Sequence, residues 1–298
     1  MPNLMLFWRS AVLGQSDLNN GDDLNLFFEL YAQFLAIDSI NTLVYGRNRS
    51  LIKTFYEFYY FQAMSRKNKN LQKKLKETKD KLKKEWVEYI KGYSQYCIKE
   101  IQINQQSSSV PRHIIENPNI SEAFSCFVDA IQQYEKWRSR LSNEHILSIY
   151  RKNLEDRQKY YADDGFDEFN EELLKKINIE KLKNNKILKQ TLIEFHNAIS
   201  HLVAVYCGRQ QDGKNKDRAI NHFRRGALDS YKAIIKDFYH LRNVKKVAYK
   251  PSLKKIKDIR REEYLGIGSD KDISKKYKNF TDELIASIHT RYFDDVKS

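Results

Sequence analysis

The chain has 298 residues, of which 41% are hydrophobic, 13% aromatic and 31% charged, and 53 Lys+Arg against 39 Asp+Glu give a formal net charge of +14. A chain of this length and aromatic content buries a core and is not intrinsically disordered, while only 10 Gly and 4 Pro argue against a turn-rich sheet protein. The 3 cysteines, Cys97, Cys126 and Cys207, are too widely spaced for a disulfide framework or a CxxC metal site, and no apolar run reaches the roughly 18–20 residues that span a bilayer.

The opening, MPNLMLFWRSAVLGQS, lacks a basic stretch followed by a clean apolar one, so no secretory leader is expected and the cytoplasm is the expected location. Residues 24–45 keep helical spacing through Leu26, Leu30, Phe34, Ile37 and Leu43, with apolar residues on more than one face, the pattern of a buried core helix. After Gly46 and a short basic connection, 51–63 resume with Phe55, Tyr59 and Phe61. Across 64–104, Leu71, Leu75, Leu82, Trp86, Tyr89, Tyr93 and Tyr96 form one stripe in a Lys-, Glu-, Gln- and Asn-rich background. This predicts a long amphipathic helix, open to continuing directly from 51–63.

Residues 105–119, QQSSSVPRHIIENPN, carry Ser and Pro punctuation and mark a linker. The expected organisation is therefore an N-terminal helical part with a long helix at 1–104, a linker at 105–119, and a C-terminal helical bundle with a basic surface at 120–298. Residues 120–161 predict one or two helices, with Phe124, Phe127, Ile131, Tyr134 and Trp137 in one stripe and Ile146, Ile149 and Tyr150 in another. Asp163-Asp164-Gly165 reads as a turn and 166–183 as a short helix. Residues 186–207 predict a strong helix with Leu188, Leu192, Phe195, Ile199, Leu202 and Tyr206 inward; Gly208–Gly213 ends it, and 215–244 form the next, antiparallel to it. Pro251 and its Lys-rich neighbours read as a connection, 266–269 as a loop, and 271–293 as one or two final helices. The fold class is all-α: a multi-helix bundle with long amphipathic helices and little or no sheet.

The charge is uneven. Residues 209–261 hold 17 Lys+Arg against 5 Asp+Glu, whereas 1–63 hold 4 against 6. Such asymmetry points to a polyanionic partner, RNA ahead of DNA, or a nucleotide; its other readings are solubility and docking to an acidic protein. The tract 242–261 interleaves Lys and Arg with Tyr249, which would stack on a base while the cations follow phosphates, unless the tract is an exposed connection with scattered charge.

The residues with the most chemistry lie between 194 and 232. Glu194, His196, Asn197 and His201 sit on the first helix; Arg218, His222, Arg225, Asp229 and Lys232 recur every three or four residues on the second, so they share a face. A helix hairpin would bring these rows together. A histidine titrating near neutrality moves a proton, and a neighbouring Arg stabilises phosphodiester charge, which is what attack by a ribose 2′-hydroxyl needs. On this reading His201, His222 and Arg225 are catalytic, and His196, Asn197, Arg218, Asp229, Lys232 and Tyr249 bind substrate. The competing reading is a network of ion pairs that sets helix register. No GxxxxGK[ST] loop, GxGxxG turn or HExxH pair occurs, so neither a metal nor another cofactor is expected.

Residues 196–201, HNAISH, resemble the RNxxxH form of the Rx4–6H motif of HEPN domains. Those are helical bundles, often RNases of toxin, CRISPR and phage-defence systems. The resemblance implies that His201 is the motif histidine and Asn197 the polar residue after the motif arginine, with His196 at the arginine position. A domain altered there is expected to bind nucleotide, RNA or a partner chain, and Arg218 to His222 is an RxxxH one residue shorter than the motif. The function expected is thus a HEPN-like protein of a bacterial stress or anti-phage defence system that binds or cleaves RNA without metal. The alternative is a non-enzymatic helical adaptor or regulatory subunit that docks a protein partner or forms a homo-oligomer; no membrane is involved in either.

Overall fold

A computed structural model describes residues 22–38, 49–64, 69–91, 110–158, 178–183, 186–208, 212–245, 253–266 and 271–287. Every regular element among them is an α-helix: α1 Asp22–Asp38, α2 Arg49–Met64, α3 Lys69–Lys91, α4 Val110–Glu116, α5 Pro118–Arg140, α6 Asn143–Gln158, α7 Ile179–Lys183, α8 Lys189–Tyr206, α9 Asp212–Lys245, α10 Leu253–Gly266 and α11 Lys271–Ser287. The all-α, multi-helix expectation holds. No described helix is long and apolar enough to cross a membrane. The expected turn at 163–165, the end of the stripe at Tyr93 and Tyr96, and Tyr249 lie outside the described residues.

The described residues within Met1–Glu122 and Leu192–His222 form one compact unit, and those within Ala123–Thr191 and Phe223–Ser298 form a second. In the first, the aromatic spacing of α1 and α2 builds the core. Phe27, Phe28, Tyr31 and Phe34 of α1 and Phe55, Phe58 and Tyr59 of α2 are buried, with Phe27 stacked on Phe58 at 6.0 Å and Tyr31 edge-on to Phe55 at 4.8 Å. Such ring pairs add about 0.5–1.5 kcal/mol each beyond their area burial. α3 lays Leu82 and Trp86 on this cluster and turns most of its lysines outward, while Lys79 pairs with Asp23 of α1.

α2 and α3 are not one continuous helix. Glu85 of α3 accepts from Ser50 and Thr54 of α2 at 3.2 and 2.6 Å, and Lys81 bonds Glu57 at 3.0 Å, so the two helices run antiparallel. Each has an apolar stripe, and folding back buries both stripes against each other where a single rod would expose them.

Within the 105–119 stretch, Val110–Glu116 is helical and Asn117 caps the next helix. Its Oδ1 accepts from the Asn119 and Ile120 amides at 3.1 and 3.2 Å, with Pro118 as the first helical residue. Ser142 caps α6 in the same way, its Oγ accepting from the His145 amide while the Ser142 amide donates to His145 Nδ1, both at 3.2 Å.

The second unit packs α5, α6, the later part of α9, α10 and α11 around Trp137, Tyr231, Ile234, Phe238, Leu241, Tyr277 and Phe280. Gln133–Asp282 and Lys278–Asp129 bonds at 2.5 and 2.7 Å tie α5 to α11. The stretch from 253 to 261, expected as a connection, is the first part of α10. Its Ile256 and Ile259 are spaced to bury one face, and that burial outweighs the charge density of its Lys and Arg. Asp237 is buried beside Trp137, whose Nε1 donates to it at 3.3 Å; burial pushes its carboxyl up to about 6, opposed by the Arg138 charge. Asp237 and Arg138 line a cavity of about 860 Å³ together with Tyr134, Ile149 and Leu188.

Candidate active site

α8 ends in a turn at Cys207 and Gly208. The Gly208 amide bonds the Val205 carbonyl at 3.0 Å, and Gly208 itself adopts φ 66, a left-handed conformation that glycine accepts without strain. The chain then returns antiparallel: Glu194 of α8 meets His222 of α9, and His201 meets Asn215. Glu194, Asn197 and His201 fall three and four apart on α8, and Asn215, Arg218 and His222 three and four apart on α9, so each triplet forms one stripe. All six residues belong to the first unit.

Where the stripes meet, the His201 and His222 rings stack 5.4 Å apart at 18°. His222 Nδ1 lies 2.7 Å from Glu194 Oε2. The Glu194 side chain is 5% exposed and that of His222 is 19% exposed, so the carboxylate is enclosed and the imidazole reaches solvent. His201 Nδ1 lies 3.2 Å from Asn215 Oδ1. Carboxylate and amide oxygens accept, so Nδ1 donates in both contacts, and the neutral form of each ring carries its lone pair on Nε2. Among the described residues, neither Nε2 has a protein partner.

His201 is held below the ordinary histidine range. Burial is the largest cause; the bond to Asn215 opposes it, and the neighbouring His222 and the Arg218 guanidinium reinforce it. That charge effect places exposed Arg218 within electrostatic reach of the pair. Asn197 is half-buried one turn before His201.

His196 does not join them. Five residues separate it from His201, which turns it to another face of α8. There its Nδ1 lies 3.0 Å from the Tyr31 hydroxyl and its ring packs against Tyr31 and Phe34. Burial pushes it down to about 4. It is half-buried against the aromatic cluster, neutral at ordinary pH, and lies off the stripe of Glu194, Asn197 and His201.

Arg225, Asp229 and Lys232 continue the row on α9 but belong to the second unit. Arg225 is exposed and Asp229 half-buried. Lys232 pairs with Glu263 at 2.5 Å and lies 6.0 Å over the Tyr277 ring, so its charge is already matched. The even spacing that made one row of five divides between two units.

Sequence reasoning did not single out Asn215, which sets the tautomer of His201. A signal was present: it continues the stripe of Arg218 and His222 by three residues. Glu194 was visible on the first helix, but its role as the carboxylate behind His222 depends on the hairpin register. Among the described residues, no group of three or more His, Cys, Asp or Glu is arranged to hold a metal ion.

Fold and site together define an all-α protein with a stacked, half-open histidine pair backed by a buried carboxylate. Compared with family models, curated proteins and solved structures, the chain matches none of them.

Proposed function

We propose that this chain is a HEPN-like helical protein that cleaves RNA with its own side chains, in the bacterial stress or defence setting which the HNAISH resemblance implies. The observation that carries this reading is the His201–His222 stack, with both Nδ1 atoms occupied and both Nε2 atoms open. Transesterification needs a base and an acid on either side of one phosphate. His201, kept neutral by burial, takes the ribose 2′-hydroxyl proton at Nε2 as the 2′ oxygen attacks phosphorus. The bond from phosphorus to the 5′ oxygen breaks, and His222 in its imidazolium form gives its Nε2 proton to that leaving oxygen. Glu194 balances the positive charge of His222, and Arg218 balances the charge that gathers on the non-bridging oxygens. The products are a 2′,3′-cyclic phosphate and a 5′-hydroxyl. Arg225, assigned a catalytic part from sequence, has none in this scheme.

The test is incubation of the full chain with total RNA in chelator, followed by end-group analysis. Cleavage leaving cyclic phosphates is expected, and His201→Ala and His222→Ala each reduce it by about 10²–10⁴-fold. Undiminished cleavage by His201→Ala rejects the assignment. A second readout is the pH profile of kcat/KM. Because the His201 base sits below the usual value, the rising limb is expected to have its midpoint below about 6.5; a midpoint above that value contradicts a buried neutral base.

The adaptor alternative drew on the aromatic-rich helices, the long Lys-rich helix and the wide apolar stripes. Phe27, Phe28, Phe34, Phe55 and Phe58 are all enclosed in the first unit's own core, which supports the catalytic reading over that alternative.

A further inference from the structure

α10 carries most of the large apolar side chains that the described residues expose, Leu253, Tyr264 and Leu265, and it combines them with a row of cations. The inward face of the helix is Ile256, Ile259 and Glu263, packed in the second unit. The opposite face presents Lys254, Lys257, Arg261 and Tyr264, spaced three, four and three apart and all exposed. At 1.5 Å per residue, the three cations span about 10 Å along one line, and Tyr264 follows one turn on. Asp258 flanks this line, which leaves the face with two surplus positive charges.

The flanks are different. Lys255 pairs with Glu283, Arg260 with Glu263, and Lys276 with Glu262. Among the described residues, Lys254, Lys257 and Arg261 make no ion pair. The acidic neighbours are thus matched to the flanking cations and the central row is left unmatched. Tyr264 is 83% exposed, so its ring faces are open to a planar partner.

We propose that this face of α10 is a docking ridge for single-stranded RNA, with Lys254, Lys257 and Arg261 on successive phosphates and Tyr264 stacked on a base. Unmatched cations in a line answer a backbone of regularly spaced charge, and one open aromatic at the end answers an unpaired base of any identity. An anionic membrane surface is the other polyanion, but a helix that lies on a bilayer turns a continuous apolar face toward it. On α10 the exposed apolar residues stand at its two ends, Leu253 at one and Tyr264 and Leu265 at the other, with cations between them, so they form no continuous face. The proposal rests on the RNA reading for its choice of ligand and not on the histidine pair, whose residues belong to the other unit.

The experiment is fluorescence anisotropy of the full chain with a labelled 12-nucleotide oligouridylate, in chelator, over a salt series, with His201→Ala/His222→Ala as the background so that the probe stays intact. The ridge predicts that Lys254→Ala/Lys257→Ala/Arg261→Ala weakens binding at least tenfold and lowers the slope of log affinity against log salt by about 2, at roughly 0.7 for each phosphate no longer neutralised. Tyr264→Ala weakens binding about tenfold with the slope unchanged, and Tyr264→Trp restores it. Helical circular dichroism of each variant checks folding, which these exposed positions leave intact. Equal binding by the triple variant and its background overturns the ridge while leaving RNA cleavage standing. Binding to vesicles containing phosphatidylserine, lost in the triple variant, with no binding to the oligonucleotide, assigns the face to membranes and also overturns it. Loss of cleavage in the histidine variants with ridge binding retained separates the two sites.

Discussion

Each unit holds a titratable side chain that desolvation shifts strongly, one a base and one an acid, and the two respond to pH in opposite directions. In the first unit it is His196, packed on Tyr31 and Phe34 and pushed down to about 4. In the second it is Asp237, packed on Trp137 and pushed up to about 6. Desolvation is the leading cause in both. Removing water penalises whichever form is charged, so a base becomes a weaker base and an acid a weaker acid. The comparison teaches that desolvation favours the uncharged form of each of these two groups. The histidine pair is the contrast within the first unit: there the imidazoles are only part-buried and a buried carboxylate stands behind one of them.

The largest effect tests whether these groups lie in packed cores at all. Phe55→Ala in the first unit and Trp137→Ala in the second each remove a fully buried ring, and each is expected to cost about 3–5 kcal/mol in urea unfolding. A loss below about 1 kcal/mol would mean that the neighbouring His196 or Asp237 is not desolvated by packing.

Next in size are the two proton linkages. Between pH 6.5 and about 4 the unfolded chain protonates His196 while the folded chain does not, so stability is present above pH 6.5 and falls by about 3 kcal/mol as pH drops through that window. Between about 6 and 3.8 the folded chain keeps the Asp237 proton while the unfolded chain loses it, so this contribution falls as pH rises, by a similar amount. In the intact protein the two partly cancel. Urea midpoints measured from pH 4 to 7 are expected to rise as pH falls in His196→Asn, where the Asp237 linkage stands alone, and to fall more steeply with acid in Asp237→Asn than in the unsubstituted chain. Identical pH slopes in all three proteins would break the comparison.

Smaller still is the effect of His201→Ala on stability, about 1 kcal/mol or less, because the ring is half-open and loses one bond to Asn215. His222→Ala should cost more, about 1–3 kcal/mol, since it removes the imidazole that bonds the buried Glu194 carboxylate; Glu194→Gln in the same chain should recover part of it. The smallest effect is Lys255→Ala. Its ion pair with Glu283 joins two exposed side chains and contributes a few tenths of a kcal/mol.

Much of the fold was legible in single helices. The three- and four-residue spacing of Phe124, Phe127, Ile131, Tyr134 and Trp137, and of Leu192, Phe195, Ile199, Leu202 and Tyr206, marks residues that are buried in the structure. Periodicity is a property of one helix, and a sequence displays it directly. The return of α3 along α2 was not legible, because two amphipathic helices in succession and one long one carry the same stripe until something folds them together.

The site divides in the same way. The sequence alone established which polar residues share a face: Glu194 with Asn197 and His201, and Arg218 with His222. It also carried the surplus of positive charge and the residues of HNAISH. Only the tertiary structure decided that His201 and His222 stack while His196 turns into the aromatic core, that Lys232 is neutralised by Glu263, and that Lys254, Lys257 and Arg261 are left unpaired. The physical reason is that helical spacing orders side chains around one axis, whereas burial and charge matching depend on the register between axes, which the turn at Gly208 and the packing of distant aromatic residues set.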